Sequence, residues 1–482
     1  MGKFSGYLLK SSVTWPILVL PLVASAMLTA ACARFEPRPI SAEDSAIQFE
    51  QRTLSELNFK QFLESNGVAP PTAWPQRLWG LEQLTLAALY FSPDLDVARA
   101  QLVGSQAAEI TAAQRLNPLL AISRGTNTTS TGIPSGLDNV AIDAPIRTGG
   151  KRGYQRAQAA YLSEAANWAL AASAQQVRSR LRAALLALYG AHERQALLLR
   201  QESLQADSVR LLEAQQGLGA VSAFEVSQAR IALQQTRFLL LDSEQQRATT
   251  VVQLADVIGI APAALDGVEF EFSEFQQLPE ELPDAAERRQ ALINRADIRG
   301  ALAEYAATQS ALQLEVARQY PDIRLGPAYE LDQGDTKWFL GVSVELPVFA
   351  RNKGQIAEAE ARRAESAAQF DALQAQVLNQ IEQALAAYRV ALRRVSTAVE
   401  LSDVLDDQEM TARAMLELGE ISELELLQRQ VELNTSALTR LDSLLVAQES
   451  LGNLEDALQS TVVLPEALWL TSPRQSMRAQ QP

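Results

Sequence analysis

The sequence predicts a mainly α-helical chain with a β-barrel part, built as two copies of one unit: helix, β-hairpin, long helical hairpin. Three observations predict it. One passage is written twice: Gly219-Ala-Val-Ser222-Ala-Phe-Glu225-Val-Ser-Gln228 returns as Gly419-Glu-Ile-Ser422-Glu-Leu-Glu425-Leu-Leu-Gln428. Other landmarks recur at nearly the same offset, Pro145 and Lys151 with Pro347 and Lys353, Asp94-Leu95 and Pro118 with Asp297-Ile298 and Pro321. Two copies of such length make a duplicated half and not a solenoid. Next, proline is absent from Ile146 to Ala261 and again from Val348 to Leu464, which leaves room for very long helices. Last, Ile323, Leu325, Tyr329 and Leu331 alternate with Arg324, Gly326, Ala328 and Glu330, and Trp338, Leu340, Val342, Val344 and Leu346 alternate with Phe339, Gly341, Ser343 and Glu345. That is period two on both arms of a hairpin turning at Asp332-Gln-Gly-Asp335.

Composition narrows the function classes. The chain has 482 residues, 47% apolar but only 6% aromatic, and a net charge of −15. An acidic chain is a poor nucleic-acid binder, because phosphates demand a basic patch. A single cysteine, Cys32, excludes an intrachain disulfide, and a single histidine, His192, excludes a histidine metal cluster. Neither a nucleophile motif nor a cofactor loop is present: Gly149-Gly150-Lys151 lacks the first glycine and the Ser/Thr of a phosphate loop. No enzyme activity, no cofactor and no metal site are expected.

The elements follow in order. Residues 1–31 read as a signal peptide: Lys3 and Lys10 precede an uncharged apolar run that ends in small residues. Thr29-Ala30-Ala31-Cys32 resembles a lipoprotein cleavage box, with Cys32 as the lipidation site. Residues 32–80, with prolines at 37, 39, 70, 71 and 75, read as an extended N-terminal arm. The first repeat spans 81–277, with strands at about 119–145 and a helical hairpin at about 150–258; the second spans 284–465, with strands at about 322–347 and a hairpin at about 351–460, and 466–482 is a flexible tail. Ser92-Pro93-Asp94 opens a helix, with serine at the cap and proline in the first turn. Glycine punctuates each long helical stretch, at Gly217 and Gly219 and then at Gly419, supplying a left-handed cap. Ser222 and Ser422 then begin Ser-x-x-Glu, a capping box. Each copy therefore holds a long hairpin with a tight turn.

Four strands per chain cannot close a barrel, and an open edge does not survive in lipid. If the strands span a membrane, several chains share one barrel, and three chains give twelve strands. The helical stretches are rich in alanine without sustained Leu or Ile at two core positions, which favours packing on both flanks over a simple dimeric coiled coil.

These features together resemble the outer-membrane efflux factors, the TolC-like proteins. The resemblance is carried by Ser92-Pro93-Asp94-Leu95, Asn117-Pro118, Pro145-Ile-Arg-Thr-Gly149-Gly150-Lys151-Arg152, Pro347 to Lys353-Gly354, and the two turns at Gly219 and Gly419, over about residues 81–464. It implies a homotrimer with a twelve-stranded barrel in the outer membrane and a helical barrel across the periplasm. It also implies two partners, a periplasmic adaptor (a membrane fusion protein) and an inner-membrane pump of the resistance-nodulation-division type. The chain would passively conduct metal ions or drugs to the exterior, and its Gly-Gly-Lys-Arg stretch and lipid box look most like the cobalt-zinc-cadmium branch. By the same resemblance Glu425, with Gln428 and the first-copy equivalent Glu225, falls at the periplasmic gate; Gln428 stands where the family carries a second acid. Gly217, Gly219 and Ser222, with Gly419 and Ser422, fall at the adaptor-docking tips. The competing reading is a lipid-anchored periplasmic coiled-coil scaffold without a pore.

Overall fold

The computed structural model describes residues 35–65, 74, 76–126, 136–279, 281–332 and 335–459. The signal segment, Cys32, the turn around Pro134 and the tail from 466 lie outside them. The chain divides into a short unit ending at Gln51 and a large one beginning at Arg52. In the short unit one helix, α1 (Ala42–Glu50), is capped by Ser41, whose Oγ accepts from Asp44 N–H at 3.2 Å.

The large unit corrects the extended-arm reading. Its first element is a helix, α2 (Leu57–Ser65), and Phe59 on it is fully buried. A two-residue strand β1 (Leu78–Trp79) then leads into α3 (Leu81–Phe91). The prolines mark only the flanks of this segment; its helix is held by tertiary burial, with the Phe59 ring against Trp74, Trp79, Tyr90 and Phe91 at centroid distances of 5.2–6.4 Å. Next come α4 (Pro93–Ala113), strands β2 (Leu119–Thr126) and β3 (Gly136–Ile146), and the hairpin α5 (Lys151–Gly217) with α6 (Ala223–Ile258). Ser92 stands at the N-cap of α4 without a side-chain cap bond; Pro93 starts the helix instead. After β4 (Glu269–Phe270) the second copy begins with α7 (Ala285–Asn294) and α8 (Ala296–Ala317). It continues through β5 (Ile323–Asp332), β6 (Asp335–Val344), α9 (Lys353–Glu417) and α10 (Glu423–Leu458).

At 1.5 Å per residue the 67 residues of α5 make a rod of about 100 Å. One half of it packs on α4 and α8, the other on α6 and α10. With α9 packed on α10, the four helices of the hairpins lie in the order α6, α5, α10, α9. Midway along sits the main core, where α3 and the 3₁₀ turns at 262–265 and 273–276 meet Leu181, Leu185 and Tyr189 of α5. Here β1 pairs in parallel with β4. A second cluster joins Val377, Ile381, Leu385 and Tyr388 of α9 to Leu454 and Leu458 of α10.

One backbone position in this belt has no freedom. Gly259 ends α6 with φ at +90°, and a Cβ there would sit 2.5 Å from the Phe91 carbonyl oxygen. Arg52 Nη1 also donates to the Gly259 carbonyl at 2.7 Å. Gly259→Ala is expected to cost about 2 kcal/mol or more, since strain of 1–3 kcal/mol accompanies a left-handed non-glycine residue and backbone cannot yield as a side chain does. A drop in the thermal midpoint of the helical circular-dichroism signal checks it; an unchanged midpoint refutes it.

Candidate functional site

Both hairpin turns close on the same pair of backbone bonds. Ala220 N–H donates to Gln215 O and Gly219 N–H to Gln216 O, both at 2.9 Å; Glu420 N–H to Met415 O and Gly419 N–H to Leu416 O repeat this at 2.9 Å. That is a Schellman cap, and it needs φ > 0 at one residue: Gly219 has +76° and Gly419 has +75°. Gly217 takes no part in the left-handed turn; it is the last residue of α5, where the second copy has Glu417. The expectation of a left-handed cap holds for Gly219 and Gly419 and is corrected for Gly217.

The descending helices then open on reciprocal caps. Ser222 N–H donates to Glu225 Oε2 at 2.7 Å and Glu225 N–H to Ser222 Oγ at 3.3 Å; Ser422 and Glu425 repeat this at 2.8 and 3.3 Å. The serine backbone N–H, then the serine hydroxyl, holds each glutamate below its ordinary carboxylate value of 4.5. A carboxylate with a depressed folded pKa contributes stability that is present above its unfolded value and lost as pH falls through the folded one. Amide protection at 222–226 and 422–426 is therefore expected to stay flat down to about pH 4.5 and to fall below it. Ser222→Ala or Ser422→Ala should cost about 1 kcal/mol of local stability at neutral pH. Hydrogen exchange reads both, and equal protection at pH 3 and pH 7 would refute the cap's role.

Around the second tip the structure gathers residues that the sequence separates. A groove beside α9 is lined by Val404, Asp407, Thr411 and Met415 on that helix and by Glu425, Gln428 and Arg429 on α10. Glu425 and Gln428 thus share one groove; Glu225, at the other tip, is not among its lining residues. Above it lies a carboxylate the sequence did not single out. Glu409 is 5% exposed and bonded by Arg413 (2.5 Å) and Gln430 (2.9 Å). Burial alone would push it up, but these donors outweigh burial and hold it low. Its one readable signal, Arg413 four residues on, looks like any solvated helix pair. The tips also present Leu218, Leu418 and Phe224 to solvent.

At the far end of the long helices lies an antiparallel sheet in the order β2-β3-β5-β6. Its register sorts side chains by face. Ile122, Val140, Tyr329 and Trp338 form one row across all four strands, and Ala144, Leu325 and Val342 form another. Ile146, Ile323 and Val344 form a third. The opposite face carries Asn139, Glu330 and Lys337 in one row and Pro145, Arg324 and Ser343 in another. The first copy's strands, poorly alternating to the eye, complete the apolar face. Pro327 sits in β5 opposite Leu340, and the ladder toward β3 skips from Ala141↔Ala328 to Ala144↔Leu325. A proline has no N–H to give there, so the strand tolerates it at the cost of a rung. Trp338 is 78% exposed, and Leu340, Val342 and Ile122 are exposed with it. The sheet joins the helices through a latch: Lys151 Nζ donates to Tyr320 O and to Asp322 Oδ1, each at 2.6 Å, and Thr148 N–H donates to Asp322 Oδ1 at 3.0 Å.

His192 lies exposed beside Glu193, its ring 6.1 Å from that of Phe272. Among the described residues no group of three or more His, Cys, Asp or Glu side chains could hold a metal ion. None of the described helices is long and apolar enough to cross a membrane, which says nothing of a barrel.

No family model matches the chain, and no curated protein matches it in sequence. Solved structures match it in fold. The outer membrane protein VceC of Vibrio cholerae superimposes with a TM-score of 0.64 at 21% identity, over 78% of this chain and 95% of that one. The CmeC outer membrane channel of Campylobacter jejuni gives 0.65 at 14% identity, over 93% and 97%. The open-state MtrE outer membrane channel of Neisseria gonorrhoeae gives 0.63 at 19% identity, over 78% and 88%. These neighbours are channels and not enzymes. The chain has the fold of the TolC-like outer-membrane channels.

Proposed function

We propose that this chain is the outer-membrane channel of a tripartite efflux system, a passive duct to the cell exterior. One observation carries the reading: a four-stranded sheet with one face apolar from the Ile122–Trp338 row to the helix end, an opposite face of mostly small and charged residues, and two edges, β2 and β6, that have no partner among the described residues. In lipid every backbone N–H and C=O must be paired, so β6 of one copy takes β2 of the next until the sheet closes. Three copies close it with twelve strands, the apolar face toward lipid and the charged face toward water. The helices support the same side-by-side closure. The flank helix α6 exposes Phe224, Ile231 and Phe238 at seven-residue spacing, and the flank helix α9 exposes Val390 and Val404, with Leu418 at its C-cap, at multiples of seven. Stripes of that kind bury against each other when α9 of one copy meets α6 of the next.

The tips then face the periplasm. Leu218, Leu418 and Phe224 offer an adaptor its apolar contact around Gly217, Gly219, Ser222, Gly419 and Ser422, and Glu425, Gln428 and Glu225 line the aperture. Cys32 carries the lipid anchor. A resistance-nodulation-division pump loads the duct with metal ions or drugs. The pore-free scaffold has no use for a sheet with one apolar face.

The test is conductance. The purified full chain should run as a heat-sensitive trimer and give discrete single-channel currents in planar bilayers. Glu425→Gln keeps an N3 side chain that can cap and removes the charge, so cation selectivity should fall while the helix signal stays. Absence of currents from a well-formed trimer refutes the duct; unchanged selectivity refutes the gate.

A further inference from the structure

The two copies cross from strand to helix differently. In the first, Arg147-Thr148-Gly149-Gly150 turns tightly into α5 on the Asp322 latch. In the second, residues 345–352 bridge β6 and α9 and hold three apolar side chains outward. Leu346 and Val348 are each 72% exposed, and Phe349 is fully exposed. This loop is built, not slack. Val348 N–H donates to Leu346 O at 2.8 Å, closing a three-residue turn on Pro347. At its far end Asn352, with φ at +56°, donates from Nδ2 to Glu315 O and Oε2 at 2.8 and 2.9 Å, tying the loop to α8. Exposed area of this kind is unfavourable by about 25 cal/mol per Å² unless something covers it.

The sheet says what covers it. Trp338 to Val344, the apolar stretch of β6, is six steps, about 20 Å along the strand and less along a tilted barrel axis. A barrel's apolar band is about 25 Å tall. The turn end cannot supply the difference, because the next row of that face is Arg124, Asp138, Leu331 and Thr336, with Arg124 paired to Asp138 at 3.4 Å. The helix end can: just beyond the last ladder pair at Val344, Leu346 keeps the every-second-residue apolar spacing of Leu340, Val342 and Val344, and exposed Val348 and Phe349 follow. Exposed Arg351 and Lys353 come directly after, on a chain otherwise strongly acidic.

We infer that loop 345–352 is a membrane-interface anchor: Leu346, Val348 and Phe349 sit among the acyl chains of the leaflet nearest the helices, and Arg351 and Lys353 lie at its anionic phosphates. The inference rests on the barrel reading of the sheet. Continuity with the apolar face and charge complementarity select a phospholipid surface over a second copy of the chain as the occupant.

The experiment uses the full chain with Cys32→Ser, which removes its only cysteine. Phe349→Cys, Leu340→Cys and Phe224→Cys each receive a nitroxide label, and the protein is reconstituted in vesicles of phosphatidylethanolamine and phosphatidylglycerol. Oxygen concentrates in lipid and a nickel chelate stays in water. The label at 349 should match that at 340, oxygen-accessible and nickel-shielded, with an oxygen-to-nickel ratio about tenfold above that at 224. A nickel-accessible label at 349 beside a lipid-embedded one at 340 overturns the anchor and leaves the barrel standing. A label at 349 shielded from both reagents also overturns it, in favour of cover by a neighbouring copy. A label at 340 in water overturns the barrel and the anchor together.

Discussion

Leu340→Arg is expected to leave the long helices folded and to abolish insertion of the sheet. Leu340 pairs with Pro327 and lies between the Trp338 and Val342 rows on the apolar face. An arginine at the middle of a lipid-facing barrel surface costs about 2–4 kcal/mol. A closed trimer carries three of them, so the cost falls three times on one assembly event. The result to look for is loss of the heat-sensitive trimer band and of flotation with vesicles, with an unchanged helical signal. Phe339→Arg is the control, because Phe339 points to the face that carries Glu330, Lys337 and Ser343. If the two variants insert equally well, the apolar face is not the lipid face.

The repeat and the hairpin tips were legible because their causes are local. A Schellman turn needs Gly219 or Gly419, and a capping box needs only Ser and Glu three apart, so a ten-residue window contains the whole interaction. The second copy's strands were legible because period two is also local. The middle belt was not. Pairing of Leu78-Trp79 with Glu269-Phe270 joins residues far apart in sequence, and two-residue strands leave no periodicity to read. The same holds for α2, where nothing near Phe59 announces that Trp79, Tyr90 and Phe91 will surround it. Buried charge was the other blind spot. Glu409 and Arg182 sit in helical sequence crowded with solvated Glu and Arg, and only the packing of α5, α9 and α10 separates them from their neighbours.

Arg182 is where that packing is most exposed to mutation. Its guanidinium, 7% exposed, donates from Nη1 to Gln448 O at 2.8 Å and from Nη2 to Gln448 Oε1 at 2.9 Å. Glu455 lies 3.5 Å away and the Phe275 ring 5.7 Å away. Gln448 Nε2 passes the chain on to Phe275 O (2.9 Å) and Gln277 O (2.8 Å). One guanidinium therefore binds α5 of the first copy to α10 of the second and to the linker between the copies. Burial, the largest influence, pulls its pKa down, yet an arginine keeps its charge, so Arg182→Met leaves Gln448 O and Glu455 with a cation missing in a desolvated place. Breaking a buried pair from one side costs about 3–5 kcal/mol. The expected result is a lowered thermal midpoint and faster unfolding in detergent, with the sheet unaffected. Arg182→Lys separates charge from shape: lysine keeps the cation but cannot reach Gln448 O and Oε1 with a rigid fork, so it should recover only part of the loss. Gly452→Leu should reproduce the defect with Arg182 intact, because a Cβ at Gly452 would collide with the Arg182 guanidinium. If Arg182→Met melts at the parent temperature, the polar chain through Gln448 contributes nothing to the stability of the packing between the copies, and the apolar contacts and the other polar contacts between them, such as Arg194 with Asp442, suffice.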